Sequence, residues 1–168
     1  MAGDNIDCPF RVGNGYDIHR LEPGIPLFLG GIEIEFDRGL AGHSDGDVLT
    51  HAIIDALLGA AGLGDIGQHF PPGDSSIKGI RSLAMLEKTV ALLEEHGFAI
   101  GNIDATVVCE KPRLSSYYQA MKASLAGVAL IGTESISLKA KTAERMGEVG
   151  RGEAMEAYAV ALLVRRRD

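Results

Sequence analysis

Cysteine is scarce in this chain, positive charge is in the minority, and no apolar run is long. Two cysteines among 168 residues, Cys8 and Cys109, cannot supply a disulfide framework and lack the Cys-x-x-Cys spacing of a thiolate metal site. A reducing, cytoplasmic setting is therefore expected. Sixteen Lys and Arg against 23 Asp and Glu leave a formal charge of -7, which argues against the basic face of general nucleic-acid and membrane-surface binders. Arg165, Arg166 and Arg167 are only a short terminal run. Met1 to Pro9 lack the apolar core of a signal peptide, and no apolar stretch approaches membrane-spanning length. Neither nucleic acid nor membrane is an expected partner.

What remains is an ordinary globular composition, 46% hydrophobic and 23% charged, at a length that suits one domain. Residues 1–9 are expected to form an N-terminal extension and 10–168 the domain. Phe10 to Leu21 reads as a strand running into a loop that carries Asp17 and His19. Leu27-Phe28-Leu29 and Ile32-Glu33-Ile34-Glu35-Phe36 alternate around Gly30-Gly31, a hairpin signal. Helical spacing predicts helices over Ser44 to Gly62, with Ser44 and Asp47 as a capping pair, over Ile80 to His96, and over Ser116 to Gly127. Period-two alternation predicts strands over Asn102 to Glu110 and Ser135 to Thr142. Glu153 to Arg165 carries both helix-favouring alanines and strict alternation, and is read as a strand. Together these elements predict a single α/β layer structure.

Residues i and i+2 of an extended segment share a face, so Asp17 and His19 can converge. A second imidazole, His51, comes from the first helix as the third ligand. Three Asp/His ligands leave tetrahedral zinc one open position, the arrangement of a catalytic site. On that helix Asp47, His51 and Asp55 form a polar stripe of three ionisable groups without lysine or arginine, which suits a cation better than bulk water on a largely apolar element.

Five segments then act together: Gly15-Tyr16-Asp17-Ile18-His19, Gly42-His43-Ser44-Asp45-Gly46-Asp47, Asp55-Ala56-Leu57-Leu58-Gly59-Ala60, Leu63-Gly64-Asp65-Ile66-Gly67 and Gly150-Arg151-Gly152-Glu153. From Arg11 to Leu163 the chain resembles the 2-C-methyl-D-erythritol 2,4-cyclodiphosphate synthase family. The resemblance implies a two-layer α+β fold, its mixed sheet covered by helices on one side, assembled as a homotrimer around a central axis with active sites between subunits. It implies the cyclisation of 4-diphosphocytidyl-2-C-methyl-D-erythritol 2-phosphate with release of CMP, in non-mevalonate isoprenoid biosynthesis. It also implies a Zn2+ held by Asp17, His19 and His51, and a second divalent ion, Mg2+ or Mn2+, at Glu144.

By the same resemblance His43 and Thr142 stabilise the transition state, and His43 and Ser44, placed at the start of the first helix, meet phosphate. Asp65, Ile66, Gly67 and the loop from Phe70 to Asp74 face the methylerythritol portion, with Arg151 among the substrate contacts. Asp55 either meets substrate or supports His51. Cys109, Pro112, Arg113, Leu114 and Ser115 wrap the cytidine, and Lys141, Thr142, Ala143 and Glu144 flank the diphosphate. Two competing readings are a metal-dependent phosphohydrolase and a nucleotide- and metal-binding protein without turnover.

The chain departs from the family pattern at two places. Lys141 stands where a small residue is usual, and Glu148 stands where an aromatic lines an apolar cavity on the trimer axis that accepts isoprenoid diphosphates. A carboxylate at that wall repels a diphosphate and wets an apolar cavity. Calorimetry with geranyl or farnesyl diphosphate is expected to show weak binding or none, and tight, saturable binding would contradict this.

Overall fold

The computed structural model describes residues 8–71, 73 and 79–166. Asp74 and most of the expected N-terminal extension lie outside the described residues. In chain order the elements are β1 (Phe10–Pro23), β2 (Leu27–Leu29), β3 (Ile32–Ile34), β4 (Arg38–Leu40), α1 (Val48–Ala61), α2 (Ile66–His69), α3 (Ser82–Glu95), β5 (Phe98–Val108), α4 (Tyr118–Ala129), β6 (Ile136–Lys141), α5 (Gly147–Gly150) and β7 (Ala154–Arg165). Five strands form a mixed sheet in the order β4-β1-β7-β5-β6, in which only β5 and β6 pair in parallel; β2 and β3 make a separate hairpin. No helix among the described residues is long and apolar enough to cross a membrane.

The alternation in β7 decides its state. Met155, Ala157, Ala159, Ala161 and Leu163 are all buried, while Tyr158 and Val160 are exposed. Its alanines are core residues of a strand, small because α1 lies over β1 and β7. Ile103, Ala105 and Val107 of β5, Cys109 just beyond it, and Ile136 and Leu138 of β6 face the same core. The opposite face of the sheet carries Phe10, Val12, Tyr16 and Ile18 beside Tyr158 and Val160, all exposed. The expected two-layer α+β fold, a mixed sheet with helices on one side, is what forms, and among the described residues no helix covers the other, partly apolar face.

The tightest packing lies between α1 and β1. A Cβ on Gly15 would sit 2.0 Å from the Ala52 carbonyl oxygen, and one on Gly13 would sit 2.1 Å from that of Ala56. Glycine is required because helix backbone rests directly on strand backbone there. Ala52, Ala56 and Ala60, spaced four apart, give α1 the matching shallow stripe.

Two expectations at this junction need correction. Asp17 and His19 lie within β1, not in a loop after it, because pairing with β7 runs unbroken from Phe10 to Arg20. Helix α1 begins at Val48, not at Ser44, because Asp47 is its cap. The Asp47 carboxylate is fully buried and accepts from Thr50 N (3.0 Å), Thr50 Oγ1 (2.7 Å), Gly30 N (3.0 Å) and Gly31 N (2.7 Å). It caps the helix and holds the diglycine turn of the hairpin, where both glycines have positive φ. His43 and Ser44 therefore precede the helix in an irregular segment.

Gly15→Ala is expected to cost about 2–3 kcal/mol of stability or more, since neither backbone can yield without moving the other. Denaturant unfolding measures this, and a loss below about 0.5 kcal/mol, ordinary for a surface change, would contradict the close approach.

Candidate metal centre and flanking cavities

With α1 seated on Gly13 and Gly15, the next inward-facing positions of β1, Asp17 and His19, lie beside His51 of α1. One ligand-type atom from each of the three side chains falls within 4.8 Å of the others. Asp17 Oδ2 is 2.9 Å from His19 Nε2 and 2.9 Å from His51 Nδ1, and the two imidazole nitrogens are 3.2 Å apart. His51 is buried, and Asp17 and His19 are half-buried. His19 Nδ1 lies 2.6 Å from the Ala41 carbonyl oxygen, to which it donates, so in the neutral ring Nε2 would be the nitrogen left to meet a cation. The far nitrogen of His51 faces hydroxyls, Ser82 Oγ at 2.8 Å and Ser44 Oγ at 3.0 Å.

Burial opposes charge on Asp17, but hydrogen bonds and attraction from His19 and His51 outweigh it and hold the carboxyl well below the usual carboxylate range. Burial also opposes charge on His19, and Asp17 with the Ala41 carbonyl outweighs that in turn, raising the imidazole above its ordinary value. These are two views of one attraction. Three convergent donors on a half-buried floor suit a divalent cation better than any of the groups suits solvent.

A cavity of about 170 Å³ opens over this cluster, with His43, Ser44, Ile66, Gly67 and Phe70 also in its wall. Asp65 does not line it; its carboxylate caps α2 through Gln68 N at 3.0 Å. Asp55 is likewise set apart, accepting from Ile66 N at 2.7 Å and so anchoring the segment that carries Ile66 and Gly67. Burial raises its carboxyl against that bond. The expected polar stripe of Asp47, His51 and Asp55 therefore divides into a cap, a metal-type ligand and a loop anchor.

A larger cavity of about 600 Å³ lies elsewhere, lined by Cys109 to Ser115 with Phe36, Tyr118, Lys141 and Thr142. It shares no residue with the first. Glu144 lies beyond β6, where Thr142 Oγ1 donates to it at 2.5 Å, and the structure does not bring it to the three-ligand cluster. Glu144 and Arg145 both have left-handed backbone, at φ 51° and 63°. Glu110 holds that turn, accepting from Ala143 N at 3.0 Å and Arg145 N at 3.2 Å. Arg151 is exposed and engages Glu153 at 2.9 Å and Glu148 at 3.4 Å, away from both walls.

The YgbB family profile matches residues 10–164. A 2-C-methyl-D-erythritol 2,4-cyclodiphosphate synthase of Dehalococcoides mccartyi is 56% identical over 153 residues, which make up 91% of this chain and 98% of that protein. The bifunctional enzyme IspD/IspF of Erythrobacter litoralis is 51% identical over 158 residues; the match covers 94% of this chain but only 41% of that longer protein. Among solved structures, IspF of Plasmodium falciparum in complex with CDP superposes with a TM-score of 0.82 at 34% identity, over 94% of this chain and 97% of that one.

The paired shifts of Asp17 and His19 predict a pH dependence in metal-free protein. The depressed Asp17 value contributes stability that is present above about pH 4 and is lost as pH falls through it. The raised His19 value contributes stability that is complete below about pH 6.5 and is lost as pH rises through it. Their joint contribution is thus largest between about pH 4 and pH 6.5. Urea titrations of metal-free protein should show this contribution fading on the alkaline side, and His19→Gln should flatten that limb. An alkaline limb unchanged in His19→Gln would refute the assignment.

Proposed function

The chain belongs to the YgbB family, and from that membership we infer that it acts as the 2-C-methyl-D-erythritol 2,4-cyclodiphosphate synthases do, in non-mevalonate isoprenoid biosynthesis. It closes 4-diphosphocytidyl-2-C-methyl-D-erythritol 2-phosphate into the 2,4-cyclodiphosphate. An oxygen of the 2-phosphate bonds to the β-phosphorus as the bond from that phosphorus to the bridging oxygen breaks, and CMP leaves with the electron pair. The observation that carries this reading is the convergence of Asp17, His19 and His51 beneath a cavity that His43 and Ser44 also wall.

The 2-phosphate is already anionic near neutral pH, so no strong protein base is required. The site must bring two ends of one molecule together, hold them in line and balance their charge. The carboxylate and two imidazoles fit Zn2+, and the Glu144 carboxylate suits Mg2+ or Mn2+; when bound, these ions supply positive charge for the phosphoryl oxygens. His43 and Ser44 contact phosphate from the cavity wall, and His43 and Thr142 stabilise the transition state. Ile66, Gly67 and Phe70, in the cavity wall, and Asp74 bind the methylerythritol portion, Asp65 meeting it from the edge while capping α2 and Asp55 supporting that segment through Ile66. Pro112, Arg113, Leu114 and Ser115, following Cys109, enclose the cytidine in the larger cavity, with Lys141 and Ala143 beside the diphosphate. Arg151 adds a cation at the periphery.

Two cavities without a shared residue support a site completed by a second subunit. The uncovered sheet face supports the same assembly. Tyr16 pairs with Tyr158 across β1 and β7, rings 5.0 Å apart, in an apolar strip continued by Val12, Ile18 and Val160. Strips of this kind mark contact surfaces. The assembly is a homotrimer, cytoplasmic, with each active site built from the metal half of one subunit and the cytidine half of the next.

Mixing inactive variants tests reaction and assembly together. His51→Ala and Arg113→Ala trimers should each lose most activity, and randomly mixed trimers should regain about a quarter of their sites, because adjacent subunits can supply one intact half each. The assay follows CMP and the cyclic diphosphate. Hydrolysed phosphate in place of the cyclic product would overturn the cyclisation, and no recovery on mixing would overturn the shared site.

A further inference from the structure

Behind His51, on the side away from the cluster, runs a chain of polar groups outside the proposed phosphate chemistry. Ser82, the first residue of α3, is fully buried, and its Oγ lies 2.8 Å from His51 Nε2. The Ser82 hydroxyl also meets Asp45 Oδ1. Asp45 Oδ2 accepts from Ser82 N at 3.0 Å and from Arg81 Nε at 3.2 Å. Arg81 is held in turn, donating from Nη2 to the Gly31 carbonyl at 3.0 Å with its guanidinium 4.6 Å from the centre of the Phe28 ring.

Direction follows from donor and acceptor chemistry. An ionised carboxylate only accepts, so the single Ser82 proton goes to Asp45 and the hydroxyl's lone pairs face His51. The ring must then donate from Nε2, and in its neutral form this leaves Nδ1 unprotonated on the side of Asp17 and His19. Two neighbours do not enforce this. Asp17 Oδ2, 2.9 Å from His51 Nδ1, attracts a proton to the wrong nitrogen, and the Ser44 hydroxyl can either donate or accept. Only the Asp45 carboxylate gives the chain a fixed polarity.

We propose that Asp45, acting through Ser82, is a positioning residue for His51, fixing both its ring orientation and the tautomer whose Nδ1 can ligate a metal. The inference rests on the reading of Asp17, His19 and His51 as a metal site. For His19 the equivalent function falls to the Ala41 carbonyl, which no side-chain substitution removes; for His51 it is open to mutation. Asparagine at position 45 can turn its amide N–H toward Ser82 Oγ, which frees the serine proton to donate to Nε2 and reverses the chain.

The test is zinc affinity, measured by chelator competition on full-length protein, with the visible spectrum of cobalt(II)-loaded protein as a report on the donor set. Ser82→Ala and Asp45→Asn are each expected to weaken zinc binding about 10- to 100-fold, the usual effect of removing a ligand's outer partner, with thermal midpoints within a few degrees of wild type. The cobalt spectra of both should lose intensity. Ser82→Thr, which keeps the hydroxyl, should stay within about threefold of wild type. If Ser82→Ala fails to fold, the isosteric Asp45→Asn carries the test. Wild-type protein that takes up no zinc sinks the metal-site reading and this inference with it. Wild-type uptake with undiminished affinity in both variants sinks the inference alone.

Discussion

Everything at the candidate centre depends on how closely α1 approaches β1. The strand offers Gly13 and Gly15, the helix offers Ala52 and Ala56, and the backbones meet where no side chain would fit. Two residues beyond Gly15 on the same face is Asp17, and four beyond is His19. One residue before Ala52 is His51. The three-ligand cluster is therefore the polar continuation of an apolar contact, and its short distances follow from that contact without any special loop.

This explains how much was legible in the sequence. Asp17 and His19 share a face in any extended segment, so their pairing is legible whether the strand ends before them or, as in the structure, runs through them. His51 was accessible because helical spacing marked its element. The start of α1 differs from its local pattern because a Ser followed by an acid resembles a capping pair, whereas Asp47 caps the helix itself and its carboxylate also binds Gly30 and Gly31. Such partners lie sixteen and seventeen positions away, and no local pattern announces them.

Long-range partners account for the other surprises. Ser82 and Asp45 meet across 37 positions, and neither belongs to a segment whose periodicity marks it as more than a helix start or a turn. Spacing leaves Asp55 between a substrate contact and a support for His51, and the structure adds a bond from the distant Ile66 N. The β7 alanines pulled toward helix by propensity; tertiary packing under α1 prevailed, as it does when small residues serve close contact. Resemblance gives Glu144 a second ion of its own, and within one chain it stands on the turn after β6 that Glu110 holds, apart from the three-ligand cluster.

Asp47 has a consequence beyond its cap. It lies one helical turn from His51, close enough in sequence for a carboxylate to compete for the same cation. Backbone amides of Gly30, Gly31 and Thr50, with the Thr50 hydroxyl, occupy both its oxygens. A saturated acceptor has little left to give an ion, so its negative charge reaches the centre only through space, as its upward pull on His19 indicates. The hairpin thereby keeps a second carboxylate, and with it a fourth protein ligand, out of the cluster, so that a cation held by Asp17, His19 and His51 would keep one place for a group that enters from outside.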